Sequence, residues 1–148
     1  MVKLAADIVI PNKKGEILLI KRDVTPFKGK WVLPGGKMKK DEKIEKTAKR
    51  EAKEETNLDI EIEKLLGVYS EPGRDPRGRY VSIAYITKEK DKKEAEKKLK
   101  TNYEANETKW KKPVEIEKEE TGFDHDKIVK DYIKKKKHPK KGKNKQNK

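Results

Sequence analysis

The stretch Gly36-Lys37-Met38-Lys39-Lys40-Asp41-Glu42-Lys43-Ile44-Glu45-Lys46-Thr47-Ala48-Lys49-Arg50-Glu51-Ala52-Lys53-Glu54-Glu55-Thr56-Asn57-Leu58 changes character partway along. From Asp41 to Thr56 the spacing predicts a helix: Ile44, Ala48, Ala52 and Glu55 fall on one side, and the remainder is strongly charged. Asp41 suits the N-cap and acidic Glu42 the first turn, while Asn57 stands where a left-handed residue commonly ends a helix. On such a helix Glu51 and Glu55 lie four apart and project from the same side, with Glu54 one position round from Glu55. Three carboxylates this close repel one another unless a cation compensates them. A divalent ion bound through oxygen does so, and Mg²⁺ is the one that combines carboxylate, water and substrate phosphate, with Mn²⁺ as a substitute. Gly35 and Gly36, immediately upstream, let the backbone bend and approach a ligand closely, as a loop contacting phosphates must. Arg50 has two uses: orienting a glutamate through a bidentate pair, or reaching a phosphate directly.

A solvated charged helix is the plainer reading, because Glu-Lys pairs decorate many helix surfaces. The fixed positions Gly36, Glu42, Arg50, Glu51, Glu54 and Glu55 weigh against it. At this chain's own residue frequencies they match by chance anywhere in the sequence only about once in ten thousand.

Outward from the helix the signals are those of strands. Leu4 to Ile10 runs apolar, Pro11 to Gly15 reads as a turn, and Glu16 to Lys21 as a second strand. Trp31-Val32-Leu33 is a short extended piece stopped by Pro34-Gly35-Gly36. Leu58 to Val68 and Arg79 to Thr87 are the next strand candidates, separated by a Pro- and Gly-rich stretch. Lys88 to Glu107 is almost wholly charged and is expected to be a mobile excursion with a short helix near Glu94 to Leu99. Trp110 to Ile116 is a last strand, and Asp124 or Asp126 caps an amphipathic final helix carrying Ile128, Val129, Tyr132 and Ile133.

Composition bounds the rest. The 148 residues fit one core, and the first 87 or so hold most of the apolar runs. Of the formal charge of +14, the segment Lys134 to Lys148 supplies nine lysines and no acid, leaving +5 before it. That division gives a folded domain over 1–133 and a disordered Lys-rich tail over 134–148. The tail is a solubilising extension or a weak, salt-sensitive contact for nucleic acid; without interleaved aromatics it has no means of reading sequence. The chain has no cysteine, which excludes disulfides and Cys-ligated zinc. It has no long apolar run and no N-terminal signal pattern, so a cytoplasmic protein without a membrane partner is expected. Enrichment in Lys and Glu with a single glutamine, Gln146, fits a thermophile or an A/T-rich genome.

With these residues in hand, the segment resembles the box of the Nudix hydrolase family: Gly, five residues, Glu, seven residues, Arg-Glu, an apolar residue, any residue, Glu-Glu, any residue, Gly and an apolar residue. The one departure is Asn57, where the family has glycine, and asparagine tolerates the left-handed conformation better than other side chains. Trp31-x-x-Pro34-Gly35-Gly36 before the box and Phe123-Asp124-His125 before the last helix are also similar to the family. The resemblance implies an α/β fold, an α/β/α sandwich around a mixed sheet. It implies Glu51, Glu54 and Glu55 as metal ligands with the Gly36 backbone, Arg50 as the orienting partner of a box glutamate, and Glu42 as a structural or secondary metal residue. The catalytic set is then Glu51, Glu54, Glu55 and Arg50. The base is left open between a box glutamate and Glu94, Glu96, Glu104 or Glu107.

The turn Pro72-Gly73-Arg74-Asp75-Pro76-Arg77-Gly78 is similar to that of ADP-ribose pyrophosphatases within the family. Arg74, Arg77 and Arg79 suit phosphate or ribose, and Tyr80 or Phe27 suits stacking on adenine; the plainer reading is a turn between strands. The leading expectation is Mg²⁺-dependent hydrolysis of ADP-ribose to AMP and ribose 5-phosphate. Two others stand beside it: a nucleoside triphosphate pyrophosphatase that sanitises the nucleotide pool, and a catalytically quiet Nudix domain that binds RNA or protein. The resemblance is also compatible with a homodimer. His125 and His138 are read as non-ligands, and Trp31 and Trp110 as packing residues.

Overall fold

The computed structural model describes residues 1–100 and 107–137. Strand β1 (Lys3–Val9) is the axis of the molecule. Its side chains alternate, as a pleated strand requires, so that Ala6, Ile8 and Ile10 enter one core and Val9 the other. It pairs in parallel with β6 (Tyr80–Thr87), from Lys3 opposite Tyr80 to Val9 opposite Ile86, and antiparallel with β4 (Gly35–Lys37). With β5 (Ile62–Tyr69) at the far side of β6, these form a mixed sheet in the order β4-β1-β6-β5. A second, antiparallel sheet joins β3 (Trp31–Val32), β2 (Ile17–Lys21) and β7 (Thr108–Lys111) in the order β3-β2-β7.

Helices cover the two faces. On one, Thr47, Ala48 and Ala52 of α1 (Ile44–Thr56) are buried, and the two alanines pack in a core with Ala6, Ile8, Leu18 and Tyr85. Ala95 of α2 (Lys92–Lys100) closes the same core. On the other face, Ile128, Val129 and Tyr132 of α3 (His125–Lys137) pack against Val9, Leu19, Ala84 and Ile86. The result is the expected α/β/α layering, and it explains the small residues of α1. With Ala48 and Ala52 at 0% exposure, the helix backbone sits close to the strand that carries the glycine bend beside it.

Several local expectations need correction. Asp41 does not cap α1: the helix begins at Ile44, Lys43 occupies the cap position, and no side chain caps it. Glu42, expected in the first turn, instead turns back to accept the Lys39 N–H (3.0 Å) and the Thr47 hydroxyl (2.8 Å). Pro34-Gly35-Gly36 does not stop the extended chain; after Pro34 the backbone re-enters a sheet as β4. Strand β5 starts at Ile62 rather than Leu58, since the hydroxyl of Thr56 takes the Leu58 N–H (3.1 Å) and turns the chain inward. The charged excursion is ordered where it is described: Asp91 receives the Glu94 N–H (3.1 Å), and Lys92 pairs with Glu16 at 2.9 Å. Strand β7 ends at Lys111, short of Ile116. Asp124 precedes α3, but its carboxylate is taken by Arg74. The final helix runs to Lys137, past the boundary expected at residue 133; the remaining tail, 138–148, lies outside the described residues. Asn57 does end α1, at φ 64°, as expected.

No helix among the described residues is long and apolar enough to cross a membrane. Ala52→Leu forces three additional heavy atoms into the contact between α1 and β1, and is expected to lower the unfolding free energy by about 1–3 kcal/mol in urea titrations.

Candidate active site

Arg50 ties the loop before α1 to the helix itself. Its Nε donates to Glu42 Oε2 at 2.7 Å and its Nη2 to Glu42 Oε1 at 3.0 Å and to the Lys37 carbonyl at 2.9 Å. Nη1 meets Glu51 at 2.5 Å and Glu54 at 3.2 Å. One planar guanidinium thus serves three carboxylates and a carbonyl, a fork that lysine could not reproduce. The hydrogen bond from Arg50, with those from the Lys39 N–H and Thr47, holds the Glu42 carboxyl down at about 2.

Glu55 is in the opposite condition. Its Oε1 accepts the Gly35 N–H at 2.8 Å, yet burial pushes its carboxyl up to about 8, with further upward pressure from the charges of Glu51, Asp7 and Glu54. Burial also raises Glu51, against the pull of Arg50. Gly36 faces this pair: a Cβ there would land on the Glu51 carboxylate. At Gly35 it would strike the Ala6 carbonyl and Asp7 Oδ1. The absence of both side chains is what lets the bend lie directly against the acidic helix.

The bend and helix form one end of a cleft of about 460 Å³. Glu51, Glu55, Arg50, Gly35 and Gly36 line it, as do Arg22, Arg77, Tyr80 and Phe123. Arg22 and Arg77 lie at 5.1 and 5.4 Å from the Phe123 ring, and Arg77 is also 5.3 Å from the Tyr80 ring. Phe27 supports Phe123 with ring centroids 4.7 Å apart. Both phenylalanines have φ near +60°, at 62° and 53°, a backbone conformation that bulky residues seldom adopt away from functional sites.

The sequence-predicted residues therefore divide. Arg77 and Tyr80 line the cleft as expected. Arg74 reaches the cleft, but its guanidinium is a buried bidentate partner of Asp124, at 2.6 and 2.9 Å. Arg79 does not line it; its Nη1 is buried elsewhere with no hydrogen-bond partner. Glu54 does not line the cleft; it is held at its edge through Arg50, with its side chain 53% exposed. Of the carboxylates considered as a base, Glu94, Glu96 and Glu107 do not line the cleft, and Glu104 lies outside the described residues. Asp7, Arg22 and Phe123 were not foreseen as site residues. The signals were an acid inside the apolar run Leu4 to Ile10, an arginine just after an apolar strand, and an aromatic two residues before His125.

Among the described residues no three acidic or imidazole side chains form a closed metal cage. The donors fit a hard cation in another way. Glu51 and Glu55 offer oxygen only, the Glu51 carboxylate packs where a Gly36 side chain would be, and burial together with the charges of Glu51, Asp7 and Glu54 raises the Glu55 carboxyl, so that a cation would be favoured beside it. Mg²⁺ suits such a half-built site, because it takes one or two carboxylates and completes its shell with water and substrate phosphate.

Comparison with known proteins agrees with this geometry. The NUDIX domain family matches residues 1–132. An ADP-ribose pyrophosphatase of Methanocaldococcus jannaschii is 44% identical over 130 residues, covering 88% of this chain and 72% of that protein. A mutT/nudix family protein from Listeria innocua superposes with a TM-score of 0.74 at 31% identity, over 92% of this chain and 94% of that one. A NUDIX hydrolase from Nitrosomonas europaea gives 0.73 at 28% identity, over 93% and 73%.

The raised carboxyl of Glu55 has a consequence for stability. A carboxyl near the ordinary 4.5 in the unfolded chain and about 8 in the folded one favours folding less and less as pH climbs between those values. Glu55→Gln keeps an acceptor for Gly35 and removes the charge. Thermal melts are expected to show the variant gaining Tm over the wild type at pH 9 and little at pH 4.

Proposed function

This chain belongs to the Nudix family of hydrolases, and from that premise we propose that it cleaves the diphosphate of ADP-ribose, giving AMP and ribose 5-phosphate with Mg²⁺ as cofactor. The observation that carries the reading is the single cleft in which oxygen donors, a bare glycine bend and an arginine-aromatic wall meet. The 44% identity to an ADP-ribose pyrophosphatase supports the same substrate.

Glu51 and Glu55, with Glu54 at the rim and the backbone of Gly36, would hold the cation. Bound there, it would offset the charge of the phosphoryl oxygens and lower the pKa of a coordinated water. The chain's own groups supply the rest. Gly35 and Gly36, which carry no side chain, let the Glu51 and Asp7 carboxylates pack directly against the bend. Arg50 holds one oxygen of Glu51 by a 2.5 Å contact, with the other oxygen beside Gly36. Arg77 offers cationic charge 5.3 Å from the Tyr80 ring, placing a phosphate or ribose partner next to an aromatic face for the base. Water adds to one phosphorus, the bond from that phosphorus to the bridging oxygen breaks, and both products leave as phosphomonoesters. The proton released from water passes to Glu51 or Glu55, the two cleft carboxylates that lie against the glycine bend.

A panel of ADP-ribose, sugar nucleotides, dinucleoside polyphosphates and dNTPs with Mg²⁺ tests the substrate. ADP-ribose is expected to have the highest kcat/KM, and turnover confined to dNTPs would reject it. Glu51→Gln is expected to cut kcat by about 100-fold or more while far-UV circular dichroism stays unchanged; unaltered turnover would contradict the assignment of the site.

A further inference from the structure

In the floor of the cleft, on the α3 side of the sheet, Asp7, His125 and Arg74 form a largely buried polar cluster to which the proposed hydrolysis assigns no chemical step. Asp7 is opposite Gly35 in the β1-β4 register, and its carboxylate packs where a Gly35 side chain would be. One oxygen accepts from the Ser82 hydroxyl, and the other faces His125 Nε2 at 3.4 Å. His125, 4% exposed, accepts the Leu33 N–H on Nδ1 at 2.9 Å. An imidazole that accepts on Nδ1 must carry its proton on Nε2, so the ring is set in one tautomer and directed at Asp7. Arg74, clamped to Asp124 just before His125, sits 3.8 Å from the same aspartate. Burial alone would raise the Asp7 carboxyl; the contacts from His125, Ser82 and Arg74 bring it below its usual value.

These contacts converge on the segment that matters most. Leu33 is followed by Pro34, which offers no N–H, and then by Gly35, whose N–H is bonded to Glu55. Between Val32 and the bend, the Leu33 amide is therefore the one backbone donor through which the α3 side can hold the segment. We propose that His125 is a positioning residue for the glycine bend: Nδ1 anchors the Leu33 amide, Nε2 braces Asp7 beneath Gly35, and together they set the bend against Glu55 and Glu51. The inference rests on the hydrolytic reading of the cleft and adds to it a residue that acts through the Leu33 amide and Asp7 rather than in the chemical step.

Paired substitutions separate the two nitrogens. His125→Asn returns an acceptor near Nδ1 and gives up Nε2, whereas His125→Gln reaches toward Asp7 and leaves the Leu33 amide buried without a partner, an arrangement that folded proteins avoid. His125→Gln is expected to lower kcat by about 10–100-fold with KM within about threefold of wild type, and His125→Asn to recover at least about half of that loss on a logarithmic scale. Amide ¹H–¹⁵N spectra recorded without substrate or metal are expected to show Leu33 and Gly35 displaced in the glutamine variant and restored in the asparagine one. If His125→Gln fails to fold, the near-isosteric Asp7→Asn is compared in its place and is expected to displace Gly35 while leaving KM close to wild type. The proposal is overturned if the Gly35 amide keeps its wild-type shift, or if the loss falls on KM with kcat intact. Should the wild type hydrolyse no diphosphate at all, the spectra still decide the positioning role, and only the reading of the reaction fails.

Discussion

Negative charge held against a bare backbone is the constraint from which the site follows. Glu55 is half-buried beside Glu51 and bonded to the Gly35 amide, in a place where desolvation pushes its carboxyl up to about 8. A helix can be brought this near to a loop only if the loop lacks side chains and the helix face toward the sheet is small. Gly35, Gly36, Ala48 and Ala52 meet both conditions. The unfavourable burial of Glu55 is tolerated because the two cores beneath and above the sheet hold the parts together.

Around that centre the arginines do three different tasks. Arg50 spends its whole fork on orienting Glu42, Glu51 and Glu54. Arg74 is a structural strut between the turn before β6 and the start of α3. Arg22 and Arg77 both lie near the Phe123 ring in the cleft wall, where cationic charge and aromatic surface are offered together. Lysine outnumbers arginine heavily in this chain, yet only Lys37 and Lys39 among the described lysines line the cleft.

The acidic helix, its left-handed end at Asn57 and the glycine bend were legible because each is encoded within a few consecutive residues. The spacing of Glu51 and Glu55, and of Ala48 and Ala52, is a property of the helix alone. What could not be read was tertiary. Nothing local distinguishes Arg77, which lines the cleft, from Arg79, which does not: the two are separated by one glycine, and the strand that starts at Tyr80 turns them to different surroundings. The bond between His125 and Leu33 spans 92 positions, and Arg74 meets Asp124 across 50. Asp41 misled for a related reason, since the demand of Arg50 for Glu42 outweighed the local preference for an N-cap.

The claim underlying all of this is that the acidic helix and the glycine bend form a divalent-cation site completed by a nucleotide diphosphate. Titration of the metal-free protein with Mn²⁺, followed by electron paramagnetic resonance with and without a non-hydrolysable ADP-ribose analogue, addresses it most directly. Uptake that tightens in the presence of the analogue, and that weakens by about tenfold or more in the Glu51→Gln, Glu55→Gln double variant, is expected. Absence of Mn²⁺ uptake by the wild type with the analogue present, or equal uptake by the double variant, would contradict it.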